Sequence, residues 1–248
     1  MSVSARKIRA AHTSIIAAIS LAVLKLATGL LTGSLAILSS AIDSVLDMLM
    51  SAVNLLAIQH AEQPADQCHP YGHGKFETLA TIFQALIIAG SGGWIIYEAL
   101  QRIVEKSLVK SPSSGILVMA VSMTVSWFLT RYLRKVATET DSSALEADSL
   151  HFAMDVYTNL ALLTGLVVLT LFDLSWIDPV MSLLVAGYIL FEALRLLRRG
   201  LGDVLDEQLP DQIRSQIETL IEDHKHELFG YNNLRTRRAG SQKLIDFH

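Results

Sequence analysis

Six long apolar runs divide the chain, and they constrain it more than any other feature. They cover about Thr13–Leu31, Leu35–Ile58, Leu79–Tyr97, Ile116–Leu133, a fifth run ending near Phe172, and a sixth from the Trp176-Ile177-Asp178-Pro179 stretch to Leu197. Each is about 19–24 residues, close to the ~20 a helix needs to cross a hydrocarbon layer. A soluble core cannot absorb six such segments, whereas a bilayer can. Composition agrees: 51% of residues are hydrophobic and only 18% charged, where soluble domains run near ~25% charged. The formal net charge of -4 gives no reason to expect a nucleic-acid partner.

The fold class read from this pattern is mainly α: a six-helix polytopic membrane domain over residues 1–200, a linker at 201–210, and a small α+β cytoplasmic domain at 211–248. Charge sets the expected orientation. Arg6, Lys7, Arg9, Lys75, Arg131, Arg134, Lys135, Arg195, Arg198 and Arg199 fall on one side, against Arg102, Lys106 and Lys110 on the other. Both termini are therefore expected in the cytoplasm. The N-terminus has no signal-peptide pattern, because its first apolar run is long enough to span and lacks a small-residue cleavage site. The stretches Arg102–Ser114 and Thr138–Asp148 read as polar connections, and Lys25 within the first span as a side chain that snorkels.

In the C-terminal portion, Ile213, Ile217, Leu220 and Ile221 form one stripe of an amphipathic helix expected over Asp211–Glu227. Two strands are expected to begin near Leu234 and Lys243. About 40 residues make a poor independent core, so this portion reads as a truncated domain or one that leans on a partner chain.

Four ionisable residues inside the apolar runs carry the chemistry. Asp43 and Asp47 stand four apart on the second run, and His151 and Asp155 four apart on the fifth, so each pair shares a helix face. Asp47 precedes His60 by 13 positions and Asp155 follows Ser143 by 12. At ~1.5 Å per residue, both lie roughly 18–20 Å from the cytoplasmic side. Carboxylates and imidazole are expensive in a bilayer, and Ser, Thr or Asn would tie helices together more cheaply. Three carboxylates and an imidazole instead suit a small divalent cation. In the loop after the second run, Asp66, His69 and His73 can form a further metal site. The lone Cys68 beside them excludes an internal disulfide and reads as a free thiol.

The D-x-x-x-D of the second run, the Tyr71-Gly72-His73-Gly74-Lys75-Phe76-Glu77 segment and the H-x-x-x-D of the fifth run together resemble the cation diffusion facilitator family, nearest its bacterial ferrous-iron and zinc efflux members. The resemblance covers nearly the whole chain. It implies a homodimer in the bacterial inner membrane that exports divalent metal in exchange for protons, through Asp43, Asp47, His151 and Asp155. It assigns a peripheral metal site to Asp66, His69 and His73, and pairs Lys75 with Asp206 as a hinge between membrane and cytoplasmic portions. It also places His248 at one position of a cytoplasmic metal site, with Asn232 near where another histidine is expected. His224 and His226 read as solvated.

On this reading the partners are divalent cations, protons, the lipid bilayer and a second copy of the chain, with no resident cofactor. His151 is the first choice for a transported proton, since imidazole titrates near cytoplasmic pH. Zn2+ is expected first, with Fe2+ and Cd2+ next and Co2+ or Mn2+ further possibilities. In the family, a histidine in place of the first aspartate accompanies narrower zinc preference, so Asp43 suggests a broader range. An intramembrane metalloprotease would want an H-E-x-x-H spacing, which does not occur. A channel would want weak, multiple sites rather than strong ligands. The alternative left open is a metal sensor or scaffold on the same fold.

Overall fold

The computed structural model describes residues 2–105, 116–172, 177–224 and 232–247. Expectations that fall on 106–115, 173–176, His226 and His248 lie outside the described residues. Among those described, the elements are helices α1 (Val3–Thr32), α2 (Leu35–Ala61), α3 (Lys75–Glu105), α4 (Ile116–Thr140), α5 (Ser143–Phe172), α6 (Ile177–Val204) and α7 (Asp211–Asp223), then strands β1 (Arg235–Ala239) and β2 (Gln242–Asp246). The chain is a mainly helical membrane protein. Four of the described helices are long and apolar enough to cross a bilayer, over Val3–Thr32, Ile37–Ala61, Lys75–Gln101 and Pro179–Val204.

Local chemistry sets the helix ends. Ser2 caps α1 by accepting from the Ala5 amide at 3.3 Å. Gly33, at φ 64, closes the same helix in the left-handed region, so α2 starts at Leu35. The expected polar connection from Thr138 to Asp148 shrinks to Asp141 and Ser142. Ser142 caps α5 through the Leu145 amide at 3.3 Å, and the polar residues on either side are helical. Several of them are buried: Thr140, Ser142, Ser143 and Asp148 are each no more than 4% exposed. Their polarity serves contacts between helices rather than solvent.

The most extensive packing pairs α3 with α6 and α1 with α2, followed by α4 with α5 and α5 with α6. Alanine makes up much of the interior, beside large side chains such as Phe152, Ile58 and Leu133 that are equally buried. Ala10, Ala85, Ala144, Ala147, Ala186 and Ala193 have no exposed surface, while large apolar side chains such as Ile16, Leu31, Trp94, Phe128 and Phe191 point outward. Small side chains let helix backbones approach closely where lipid offers no hydrophobic drive to associate. Lys25 departs from expectation: instead of snorkelling, its ammonium donates to the Ser44 hydroxyl at 2.7 Å. That contact directs the charge toward α2, where it lies within electrostatic reach of Asp43.

Strands β1 and β2 pair antiparallel about a turn at Gly240 and Ser241. Gly240 has φ 62, and a Cβ there would meet the Gly74 carbonyl oxygen at 2.5 Å, so both turn geometry and close approach demand glycine. Charges fasten the hairpin to the helix ends. Arg238 and Lys243 both pair with Asp141, which occupies φ 54 in the α4–α5 turn. Thr236 accepts from the Leu209 amide at 3.1 Å. By contrast, α7 buries none of its residues, and Leu220 on its apolar stripe is 61% exposed.

Candidate metal transport site

Helices α2 and α5 are neighbours, and across their contact His151 Nε2 meets Asp47 Oδ1 at 2.8 Å. His151 is buried and its Nδ1 has no partner. Asp155, one turn further along α5, is partly buried and within electrostatic reach of Asp47, His151, Asp43 and Lys25. Its own main-chain carbonyl accepts from the Asn159 side chain at 2.6 Å. Asp43 stands one turn before Asp47 and is exposed on the surface of the single chain. The four residues thus occupy one region, but only Asp47 and His151 are in contact. Mutual repulsion among the three carboxylates opposes closer convergence, and the imidazole engages one of them through Nε2.

Among the described residues, the cluster whose ligand atoms all lie within 4.8 Å of one another is Asp66, His69 and His73. Asp66 Oδ1 sits 3.3 Å from His69 Nδ1, and Asp66 Oδ2 sits 3.4 Å from His73 Nε2. The loop builds this arrangement locally, because the amides of His69 and Cys68 donate to Asp66 Oδ1 at 2.6 and 2.9 Å. The His69 amide, seconded by that of Cys68 and by the two imidazoles, holds the Asp66 carboxyl below its ordinary range and therefore ionised. His73 is buried and the other two are exposed. A cavity of about 320 Å3 opens over the loop, lined by His69, Tyr71, His73, Lys75, Phe76 and Arg237.

Lys75 donates to Asp206 Oδ1 at 2.9 Å and to the Val204 carbonyl at 3.3 Å. Arg237 of β1 reaches both carboxylate oxygens of Asp206 at 3.2 Å and lies 4.6 Å over the Tyr71 ring. Lys75, with Arg237 in support, holds the Asp206 carboxyl below its usual range.

Two groups of residues were not singled out from the sequence. The first is Asp148, fully buried one turn before His151, with hydroxyls of Ser14 and Ser51 at 2.6 and 3.5 Å. Its positions relative to His151 and Asp155, three and seven apart, put it on their face of α5; that spacing was the available signal. The second is Lys7, which pairs with both Glu62 and Glu77. No sequence spacing links these three.

Comparison with known proteins decides the family. A family model described as the cation efflux transmembrane domain matches residues 11–205. The chain belongs to the cation efflux, or cation diffusion facilitator, family. Members of this family are transporters rather than enzymes. The chain is 35% identical over 239 residues to the cation-efflux pump FieF of Shewanella oneidensis, covering 96% of this chain and 80% of that one. It is 36% identical to the pump of the same name from Pectobacterium carotovorum, over 88% of this chain and 72% of the relative. The FieF of Cronobacter sakazakii is 33% identical over 97% of this chain and 79% of its own. Cation efflux transport across a membrane is accordingly the activity of the family to which these helices belong.

Proposed function

We propose that this protein is a proton-coupled antiporter that exports divalent metal cations from the cytoplasm through Asp43, Asp47, His151 and Asp155. The observation that carries this reading is the 2.8 Å contact between His151 and Asp47 across α2 and α5, with Asp155 one turn away. A dication binding here replaces that hydrogen bond and favours the deprotonated ligands. Metal entry therefore expels protons, and proton return expels metal. The four groups titrate as a coupled set. Approach of Asp43 and Asp155 around the cation would complete the ligand set.

In the same reading six helices span the inner membrane, with both termini in the cytoplasm. The working unit is a homodimer, which the uncovered apolar stripe of α7 supports. Zn2+ is the first substrate, followed by Fe2+ and Cd2+. Asp66, His69 and His73 hold metal at the cytoplasmic surface, and Lys75 with Asp206 forms the hinge between helices and hairpin.

The test is Zn2+ uptake into vesicles under an imposed pH gradient, for the wild type beside Asp47→Ala and Asp155→Ala. Gradient-driven uptake lost in both variants supports the reading. Uptake that survives both substitutions rejects the site, and folded wild type that binds metal without moving it rejects transport.

A further inference from the structure

A buried carboxylate with no assigned task lies immediately behind the transport pair. Asp148 on α5 is 0% exposed. The Ser14 hydroxyl, from α1, donates to its Oδ2 at 2.6 Å. Ser51, from α2, lies 3.5 Å from Oδ1 and 3.1 Å from Ser14 Oγ. Asn54, also on α2 and fully buried, faces the same carboxylate without reaching hydrogen-bond geometry, so both of its amide atoms are unpartnered. Three helices thus converge on one acid at the level of the turn that carries His151.

His151 itself is unusual among the helical histidines described. His12 and His60 each engage the carbonyl four residues earlier through Nδ1 at 2.9 Å. His151 Nδ1 makes no such bond; the ring is held from its Nε2 side by Asp47. Its orientation therefore depends on the field and packing around it more than on its own helix.

A role confined to fastening helices does not require a charge. A neutral amide can meet the same two serines, accepting from one through its oxygen and donating to the other through its nitrogen, and an ionised group buried among helices is costly. Each oxygen of Asp148 faces a serine hydroxyl that can donate to it, the surroundings an ionised carboxylate needs, and what such a group adds is negative potential acting over a few ångströms. Asp148 and His151 are within electrostatic reach of each other, one helical turn apart.

We infer that Asp148, anchored by Ser14 and Ser51, is a positioning residue for the transported cation: from behind the Asp47–His151 pair it orients His151 and raises the affinity for a dication without touching it. The inference rests on the reading that this pair takes the cation.

Zn2+ transport in vesicles, resolved into KM and Vmax, tests it in Asp148→Asn, in the double variant Ser14→Ala/Ser51→Ala, and in Asp47→Ala. The amide keeps the size and the hydroxyl partners but removes the charge. Asp148→Asn is expected to raise KM for Zn2+ at least fivefold while Vmax stays within about twofold of wild type. The double serine variant is expected to raise KM at least twofold, and it decides the matter if Asp148→Asn does not fold. A merely structural acid would lower Vmax and folded yield with KM unchanged, and that result overturns the proposal. Transport surviving in Asp47→Ala would instead remove the site on which the proposal stands. Loss in Asp47→Ala with wild-type KM in the other variants would reject the role of Asp148 alone.

Discussion

The ammonium of Lys7 lies 3.0 Å from Glu77 Oε2, and neither side chain is more than 1% exposed. Glu62 pairs with the same ammonium, while Ser142 donates to the other oxygen of Glu77. Lys7 also donates to Ser241 in the hairpin turn at 2.9 Å. One cation therefore joins α1, the end of α2, the start of α3 and the β1–β2 turn. Removing one member of a buried ion pair leaves its partner desolvated and unpaired, a loss of roughly 3–5 kcal/mol. Lys7→Met is thus expected to lower the thermal unfolding temperature in detergent far more than Lys135→Met, whose ammonium is exposed on α4. Equal, small shifts for the two variants would show that the buried node contributes nothing.

The hairpin's attachment should depend on pH and salt. Hydrogen bonds from Lys75 and Arg237 depress the folded Asp206 value. At Asp141 burial pushes the carboxyl upward, but hydrogen bonds and charge from Lys243 and Arg238 outweigh it and leave the group lowered. A depressed carboxyl stabilises the folded form above its unfolded value, and that contribution disappears as pH falls through the folded value. Protection factors of the β1–β2 amides, corrected for the intrinsic pH dependence of exchange, should therefore be steady from about pH 5 to 8 and fall below about 4. Because these pairs are largely exposed, the effect should be modest and weaken further near 1 M salt, where the Debye length is about 3 Å. Protection that ignored both variables would place the attachment in the Leu209–Thr236 and glycine contacts alone.

Metal stoichiometry separates the loop cluster from the intramembrane residues. Substituting Asp66, His69 and His73 together by alanine should lower bound Zn2+ by one equivalent per chain in equilibrium dialysis and leave the Asp47-dependent fraction intact. An unchanged stoichiometry would show that the 4.8 Å cluster does not hold metal.

Within the proposed transport set, Asp43 is the position at which selectivity can be tested. It is the most exposed member of the proposed transport set, one turn from Asp47. Replacing its oxygen donor with imidazole should favour Zn2+ over harder or less strongly bound ions. Asp43→His is expected to retain Zn2+ uptake while reducing Fe2+ uptake several-fold in paired flux assays. Loss of both ions in proportion would assign Asp43 to general affinity rather than choice of metal.

The helices were legible because apolar length is a strong signal, whereas for β1 and β2 only strand starts near Leu234 and Lys243 were legible, and their antiparallel pairing about Gly240 is seen only in space. The residues proposed to take metal stand out in the sequence because carboxylates and imidazole are costly in an apolar run, and of those four the structure brings Asp47 and His151 into contact. The stretch Thr138–Asp148 misled because polarity was taken for exposure. Its polar side chains belong to helices, and its acid is satisfied by Ser14 and Ser51 from elements more than ninety residues away in the chain. Lys25 misled for the same reason: Ser44, its partner, is ordinary in sequence and informative only in space. The Lys7–Glu62–Glu77 node depends on three chain segments meeting, which periodicity along one segment does not encode.

The alanine-lined interior and the bulky exterior have a practical consequence. The molecule writes to two solvents with two separate alphabets. Outward positions such as Ile16, Leu31 and Phe191, on helices long and apolar enough to cross a bilayer, suit lipid, whereas the alanines and the buried polar column of Ser14, Ser51 and Asp148 address other helices. A redesign that recoded only the outward letters would change the medium the protein needs while preserving the geometry around Asp47 and His151. The ion chemistry could then be studied in water, free of the membrane that now surrounds it.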